Sequence, residues 1–234
     1  TSRLRWVMSR LAEDPEQLTG IANAIAQVAD LGVVGLELEE QEVPQEVLDL
    51  LRRFPWSEDE DAEVPAEVLK ELQRHLVLHH RGAGGEEYSL ASSQQSQGTL
   101  TWLATVGPAI DALRLGQVLC IDELDASLHP TLTATLVDMF KDPDLNTRGA
   151  QIVFTTHDTA LLDNSPVQLL DAGEVWMTEK SSFGASELFS LADFPSNRKG
   201  TNKQRRYLAG AFGAIPQVDT SSLRRYLSDS AEAR

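Results

Sequence analysis

Two short apolar runs separated by a helical pattern constrain this sequence more than any other feature. Residues 117–121 (QVLCI) and 151–155 (QIVFT) have the length and composition of buried strands. Between them, residues 130–140 show helical spacing and begin with a proline. A helix that connects two strands returns the chain to the same end of the sheet, so the strands pair in parallel. The sequence therefore predicts an α/β fold.

Further elements are predicted on both sides of this unit. Residues 99–115 follow a helical pattern, and residues 167–170 and 174–178 have the form of a closing strand pair joined by a turn. Before them, the sequence predicts a short strand over residues 33–39 and helices over residues 15–31, 44–53 and 65–78. Residues 57–63 are predicted to form an acidic loop.

Charge is distributed unevenly along the chain. The 234 residues include 36 acidic and 20 basic side chains, a net charge of −16. Residues 1–87 hold 19 acids and 8 bases, whereas residues 88–234 hold 17 and 12. The uneven charge predicts two regions with different functions, a helical, acidic subdomain over 1–87 and a second region over 88–234. Average acidity argues against wrapping of nucleic acid or binding to an anionic membrane.

The single cysteine bears on the cellular compartment. Cys120 lies within an apolar run, where a small buried thiol is the expected state, and one cysteine forms no intramolecular disulfide. No run of about 18 apolar residues is present, so no membrane span is predicted. These features predict a cytoplasmic protein. Because the sequence begins with Thr1 rather than methionine, we also expect further sequence upstream.

Carboxylates follow the first predicted strand directly. Asp122 and Glu123 come after residues 118–121, and Asp125 follows two positions later. The carboxyl edge of a parallel sheet is where α/β proteins bind ligands. There, Asp122 is suited to hold Mg²⁺ and Glu123 to deprotonate an attacking water. The alternative is that Asp122 or Asp125 caps the following helix.

Two other segments add to this pattern. The second strand ends in a histidine, His157, whose neutral imidazole is suited to bind a terminal phosphate or a water at the same edge. Upstream, Ser96, Gly98 and Thr99 form a small polar loop at the start of a helix, and helix N-termini bind anions. A plain Ser or Thr N-cap is the alternative for that loop.

The order of these motifs resembles the C-terminal half of ABC-type ATPase heads. The run SQGT at residues 96–99 is similar to the signature motif, residues 118–123 to Walker B, residues 127–130 (SLHP) to the D-loop, and Thr156 with His157 to the switch histidine. More narrowly, the chain resembles the AAA ATPases of abortive-infection and restriction-linked phage-defence systems, relatives of structural-maintenance and DNA-repair ATPases. Residues 183–188 and 207–216 look like this family's ending.

The resemblance implies a partial P-loop NTPase fold, in which residues 1–87 form a lid- or arm-like subdomain and residues 88–234 form the C-terminal lobe of an ABC-type ATPase head. It also implies a composite ATP site between two heads of a homodimer. Its implied cofactors are ATP and Mg²⁺, and its implied partner is a nuclease-like effector that the dimer gates by opening and closing. The resemblance implies that Glu123 is the general base, that His157 senses the γ-phosphate and that Asp122 binds Mg²⁺. Contacts to the nucleotide of the opposing head are implied for Ser96, Gly98 and Thr99. The turn with Asp125 and Ser127 is implied to couple the two sites.

The sequence departs from the family in two places. Gln95 stands where the family usually has Glu before the signature serine. None of the 15 glycines precedes a lysine, so the chain contains no G-x-x-x-x-G-K-[ST] phosphate loop, or Walker A motif. The chain is therefore expected to be the C-terminal portion of a longer ATPase.

Two other functions compete with ATP hydrolysis. One is a dimerisation or partner-binding module without turnover, which the missing phosphate loop and Gln95 favour. The other is a carboxylate–metal nuclease built on Asp122, Glu123 and Asp125, which requires a further acid that the preceding strand does not offer.

A compact basic stretch follows the predicted sheet. Five bases and no acids occur within residues 198–206, and Tyr207 is adjacent. A solvated helix start is one interpretation, and a contact with nucleic acid or an acidic partner is the other. The bases are Arg198, Lys199, Lys203, Arg205 and Arg206.

Overall fold

A computed structural model describes most of the chain. The described residues are 8–9, 32–54, 64–164, 167–181, 183–195, 200–216, 219–221 and 224–226. The predicted helix over 15–31, the acidic run over 57–63, and Arg198 and Lys199 lie outside them. The chain divides into two compact units, Thr1–His157 and Asp158–Arg234.

The first unit contains a three-stranded antiparallel sheet. Its strands are ordered β1-β2-β3, with β2 in the centre, and two short helices lie between β1 and β2 in the chain. Leu76 and Leu78 of the central strand are fully buried. These elements are β1 (Val33–Glu40), α1 (Gln45–Leu51), α2 (Ala66–Gln73), β2 (Arg74–Arg81) and β3 (Glu87–Ala91).

The strand over 33–39 and the helix over 44–53 are confirmed, but the helix over 65–78 is wrong in its second half. Helix α2 ends at Gln73, and the chain continues directly as β2. Val68, Leu72 and Leu76 keep a helical spacing across this junction, which explains the error. Pairing with strands on both sides decides the conformation of β2 instead.

The predicted helical character of residues 1–87 is therefore incomplete, because strands occupy much of the described part. The predicted boundary between residues 87 and 88 falls at the start of β3, which pairs with β2. Separate roles for the two regions stay a prediction.

A parallel strand pair with its helices completes the first unit. Strands β4 and β5 pair in parallel, with Val118 opposite Gln151 and Ile121 opposite Phe154, as the alternating pattern predicts. The predicted helices over 99–115 and 130–140 are also confirmed, and Trp102 is fully buried. No described helix has both the length and the apolar character needed to span a membrane. These elements are α3 (Gln97–Leu115), β4 (Val118–Ile121), α4 (Pro130–Lys141) and β5 (Gln151–Phe154).

One face of this strand pair is open among the described residues. Val118 and Val153 are 58% and 57% exposed, and Cys120, which lies opposite Val153 in the parallel register, is exposed as well. The expectation of a buried thiol is thus wrong, because residues 118 and 120 point to the opposite face from the buried Ile121. Parallel sheets are ordinarily covered on both faces.

The second unit is built around a β-hairpin. Strands β6 (Trp176–Lys180) and β7 (Ser186–Ser190) pair antiparallel, and helix α5 (Lys203–Leu208) follows. The predicted pairing of residues 167–170 with 174–178 is wrong. Residues 172–174 form a 3₁₀ turn in which the Glu174 carboxylate accepts the amide of Asp171, and β6 pairs with the later strand instead. The core of this unit consists of Val175, Met177, Leu191 and Phe212.

Candidate functional site

A threonine hydroxyl links the two acids that follow β4. Asp122 and Glu123 are both exposed at the carboxyl end of the strand. The hydroxyl of Thr155, which follows β5, donates to Asp122 Oδ1 at 2.5 Å and accepts the backbone amide of Glu123 at 2.9 Å. The Thr155 side chain thus holds both the carboxylate of Asp122, proposed to bind Mg²⁺, and the backbone of Glu123, proposed as the general base.

Asp125 forms the second link between the two strand ends. Its Oδ1 accepts the hydroxyl of Thr156 at 2.6 Å and the backbone amide of His157 at 3.1 Å. Burial raises the pKa of Asp125, but these hydrogen bonds, the bond to its own amide and the charge of His157 together hold the pKa below its ordinary value. Asp125 is therefore ionised at neutral pH.

Neither acid supplies the side-chain cap of α4. Helix α4 begins after His129, whose Nδ1 accepts the backbone amide of Thr131 at 3.2 Å. Pro130 occupies the first helical position, where its missing N–H costs nothing. The alternative in which Asp122 or Asp125 caps this helix is therefore wrong.

The turn that carries the acids has an uncommon backbone. Glu123 and Ser127 have φ angles of 53° and 63°, in the left-handed region that costs a non-glycine residue roughly 1–3 kcal/mol. The amide of Leu124 donates to the carbonyl of Thr155 at 2.9 Å, and the Leu124 side chain is almost fully buried. Such conformations persist where the surroundings enforce them, and they are frequent at functional sites.

The end of β5 therefore contributes three groups to one edge of the parallel pair. Thr155 and Thr156 bind the acids, and the exposed His157 follows them. The structure thus places Asp122, Asp125 and His157 on adjoining segments, as the parallel arrangement implies. Sequence reasoning assigned no role to Thr155. Its signal was the pair of hydroxyl residues directly before the histidine.

The signature loop, residues 96–99, forms the start of helix α3. Ser96 is the N-cap: its Oγ accepts the amide of Thr99 at 3.1 Å and lies 2.8 Å from the Thr99 hydroxyl. Thr99 is buried, whereas Ser96 is exposed. The N-cap interpretation is confirmed, and the contacts of Ser96 and Thr99 with a nucleotide stay a prediction.

Gly98 brings the signature loop against the acidic turn of the same chain. A Cβ atom at this position would lie 3.1 Å from the carbonyl oxygen of Ser127, which is tighter than ordinary packing. Glycine therefore permits the close approach. Gly98, which is proposed to contact the opposing head, is therefore a direct neighbour of Ser127, which is proposed to couple the two sites.

The basic stretch is largely structural where the structure describes it. Lys203 is 4% exposed, and its Nζ donates to the carbonyl of Leu170 at 2.8 Å, so its predicted surface role is wrong. The guanidinium of Arg206 lies 5.2 Å from the ring centroid of Phe212. Arg205 has an exposed side chain.

The described residues fit Mg²⁺ only as part of a nucleotide complex. No group of three or more His, Cys, Asp or Glu side chains in the described part of the chain is arranged to hold a metal. Mg²⁺ bound with a nucleotide requires fewer protein ligands, since phosphates and waters supply the rest. The exposed carboxylate of Asp122 fits that requirement, whereas the phosphate loop is missing from the sequence.

Comparison with known proteins identifies one family. The family model described as "AAA domain, putative AbiEii toxin, Type IV TA system" matches residues 10–163, well over half of the chain. The match includes the signature loop, the acidic turn and His157. No curated protein and no solved structure matches the chain significantly.

Proposed function

Because this chain belongs to the AAA domain family of the putative AbiEii toxin and type IV toxin–antitoxin systems, we propose that it forms the hydrolytic edge of an ATPase head. The family is one of nucleotide-binding ATPases. One observation carries the proposal: Asp122, Glu123, Asp125 and the segment of His157 are held together at the carboxyl edge of a parallel strand pair.

Each group at this edge has a proposed task. Glu123 accepts a proton from the attacking water, and the bond between its amide and Thr155 orients the backbone that presents it. Asp122 would hold Mg²⁺, which would supply positive charge to neutralise the phosphates when bound with ATP. His157 donates a hydrogen bond to the terminal phosphate, and ionised Asp125 fixes its backbone.

The phosphate loop comes from another segment in this proposal. The open face with Val118, Cys120 and Val153 supports this, because further elements covering it would bury apolar surface that is now exposed. Ser96, Gly98 and Thr99 of one head would meet the nucleotide of the other head in a homodimer. The contact of Gly98 with Ser127 supports coupling between the two sites.

The output we propose is a switch. ATP binding would close the dimer and hydrolysis would open it, so that a nuclease-like effector is gated in phage defence or in DNA transactions. A contact with nucleic acid would rest on Arg198, Lys199 and Arg205, since Lys203 is buried.

The test is ATP turnover by a protein that includes this chain and a phosphate loop. Glu123→Gln should lower kcat by about 10²-fold or more while ATP affinity is retained, because a base is lost and no binding group is. Glu40→Gln, which removes an exposed acid at the end of β1, is the matched control. Wild-type turnover in Glu123→Gln would contradict the role of Glu123. Binding without turnover in the unsubstituted protein would favour the dimerisation and partner-binding module.

A further inference from the structure

A buried histidine of the antiparallel sheet binds the residue that precedes the signature loop. His80 of β2 is 9% exposed, and its Nε2 accepts a hydrogen bond from the side-chain amide of Gln95 at 3.0 Å. The imidazole stacks on the ring of Tyr88 with 5.5 Å between centroids and 18° between planes. The Tyr88 side chain of β3 thus covers one face of the imidazole, and the Nε2 atom of the imidazole faces Gln95.

The neighbouring histidine has a different environment. His79 lies on the opposite side of β2, where its Nε2 is 3.0 Å from Glu37 and its Nδ1 is 2.9 Å from the Ser89 hydroxyl. These contacts join the three strands to one another and involve no residue of the signature loop. His79 therefore has hydrogen bonds comparable to those of His80 without the connection to Gln95.

Gln95 connects the sheet to the site over a short chain of contacts. It directly precedes Ser96, the N-cap of α3, on which the amides of Thr99 and Leu100 both depend. Gly98 in the same turn lies against the carbonyl of Ser127. A displacement of the Gln95 side chain would therefore move the cap and the loop that meets the acidic turn.

We infer that His80 is a positioning residue that holds the signature loop in place through Gln95. The inference rests on the proposed function for its catalytic consequence, since that function assigns Ser96 and Gly98 to the opposing nucleotide. Gln95 suits this task because its side-chain amide nitrogen is a hydrogen-bond donor placed 3.0 Å from the imidazole nitrogen. The hydrogen bond between His80 and Gln95 also gives a structural reason for glutamine at a position where ABC-type ATPase heads usually have glutamate.

The catalytic test removes the hydrogen bond between His80 and Gln95 from either side. His80→Phe keeps an aromatic ring on Tyr88 and removes the acceptor, and Gln95→Leu removes the donor at similar volume. Each variant should lower kcat about ten- to a hundred-fold in the protein that includes the phosphate loop. The KM for ATP should change much less, because the signature loop acts after a head has bound its nucleotide. The double variant should be no worse than either single variant.

His79→Phe is the matched control. It removes a histidine with two polar contacts from the same strand, and it should leave kcat near that of the wild type. Additive losses in the His80→Phe, Gln95→Leu double variant, or an equal loss in His79→Phe, would show that these substitutions act through general destabilisation and would overturn the inference.

A second measurement needs no turnover. Amide hydrogen exchange of Thr99 and Leu100 in the 234-residue chain should quicken about fivefold in Gln95→Leu and in His80→Phe, as expected when a cap that relies on one hydrogen bond is loosened. Unchanged exchange in both variants would overturn the positioning role. If the unsubstituted protein shows no ATP turnover, the proposed function fails while this measurement still decides the inference. Gln95→Leu, at a partly exposed position, provides the answer if His80→Phe does not fold.

Discussion

The hydroxyl of Thr156 donates to the carboxylate of Asp125 at 2.6 Å and fastens the turn after β4 to the chain leaving β5. The bond is charge-assisted, so it is stronger than one between neutral groups. It belongs to the same carboxylate that accepts the amide of His157. The pair thus ties the acidic turn to the segment of the histidine.

This pair predicts an acid-sensitive contribution to stability. The folded state lowers the pKa of Asp125 below its ordinary value, so the folded protein binds this proton more weakly than the unfolded chain does. The stabilisation is therefore present above the unfolded pKa of about 3.9 and is lost as the pH falls through the lowered folded pKa. Thr156→Val should raise the pKa of Asp125 because it removes the hydroxyl.

Carboxyl NMR titration of Asp125 checks this prediction directly. Urea unfolding as a function of pH provides the second measurement. The difference in unfolding free energy between the wild type and Asp125→Asn should shrink as the pH is lowered below about 4. A difference that stays constant over this range, or an unchanged Asp125 titration in Thr156→Val, would contradict the account.

The hydroxyl of Thr155 should matter for turnover more than its volume. Thr155→Val keeps the shape but leaves the amide of Glu123 without this acceptor and Asp122 without this donor. We expect a loss of about 1–3 kcal/mol in stability and a fall in kcat in the ATPase-competent protein. Thr155→Ser keeps the hydroxyl and should retain most of the turnover. Equal losses in the two variants would show that retention of the hydroxyl does not protect turnover and would contradict this role of Thr155.

The sequence predicted the parallel pair and its helices because strand and helix periods alternate cleanly over residues 99–155. It failed at β2, where apolar spacing fits a helix and pairing on both sides decides the conformation. It also failed at Lys203, because charge alone does not reveal that a lysine can reach a buried carbonyl. Acids at the strand end were found from the sequence, whereas Thr155 and the bond between His80 and Gln95 required the pairing of distant segments.

The exposed Cys120 provides a probe of the open sheet face. As the single cysteine in the sequence, it should react with a thiol reagent to one equivalent per chain without denaturant. In the protein that supplies the phosphate loop, covering of Val118 and Val153 should slow that reaction by at least about tenfold, because a buried thiol must wait for local opening. Ile121→Cys in a Cys120→Ser background is the control, since Ile121 is buried on the other face. Rapid labelling of Cys120 in both forms would contradict coverage of this face.

Lys203 and Arg205 separate a structural base from a surface base in the same helix. Lys203→Ala removes a buried ammonium that donates to the Leu170 carbonyl, so it should lower the unfolding free energy of the second unit by about 1–3 kcal/mol. Arg205→Ala changes an exposed side chain and should stay within about 0.5 kcal/mol of the wild type. Urea unfolding monitored by fluorescence, in a background where Trp176 in β6 is the single tryptophan, measures both variants. Similar stability in the two would show that the contact between Lys203 and Leu170 contributes little.

If the proposed contact with nucleic acid exists, Arg205→Ala should weaken it with a shallower salt dependence, because a charge is lost from a fold that stays intact.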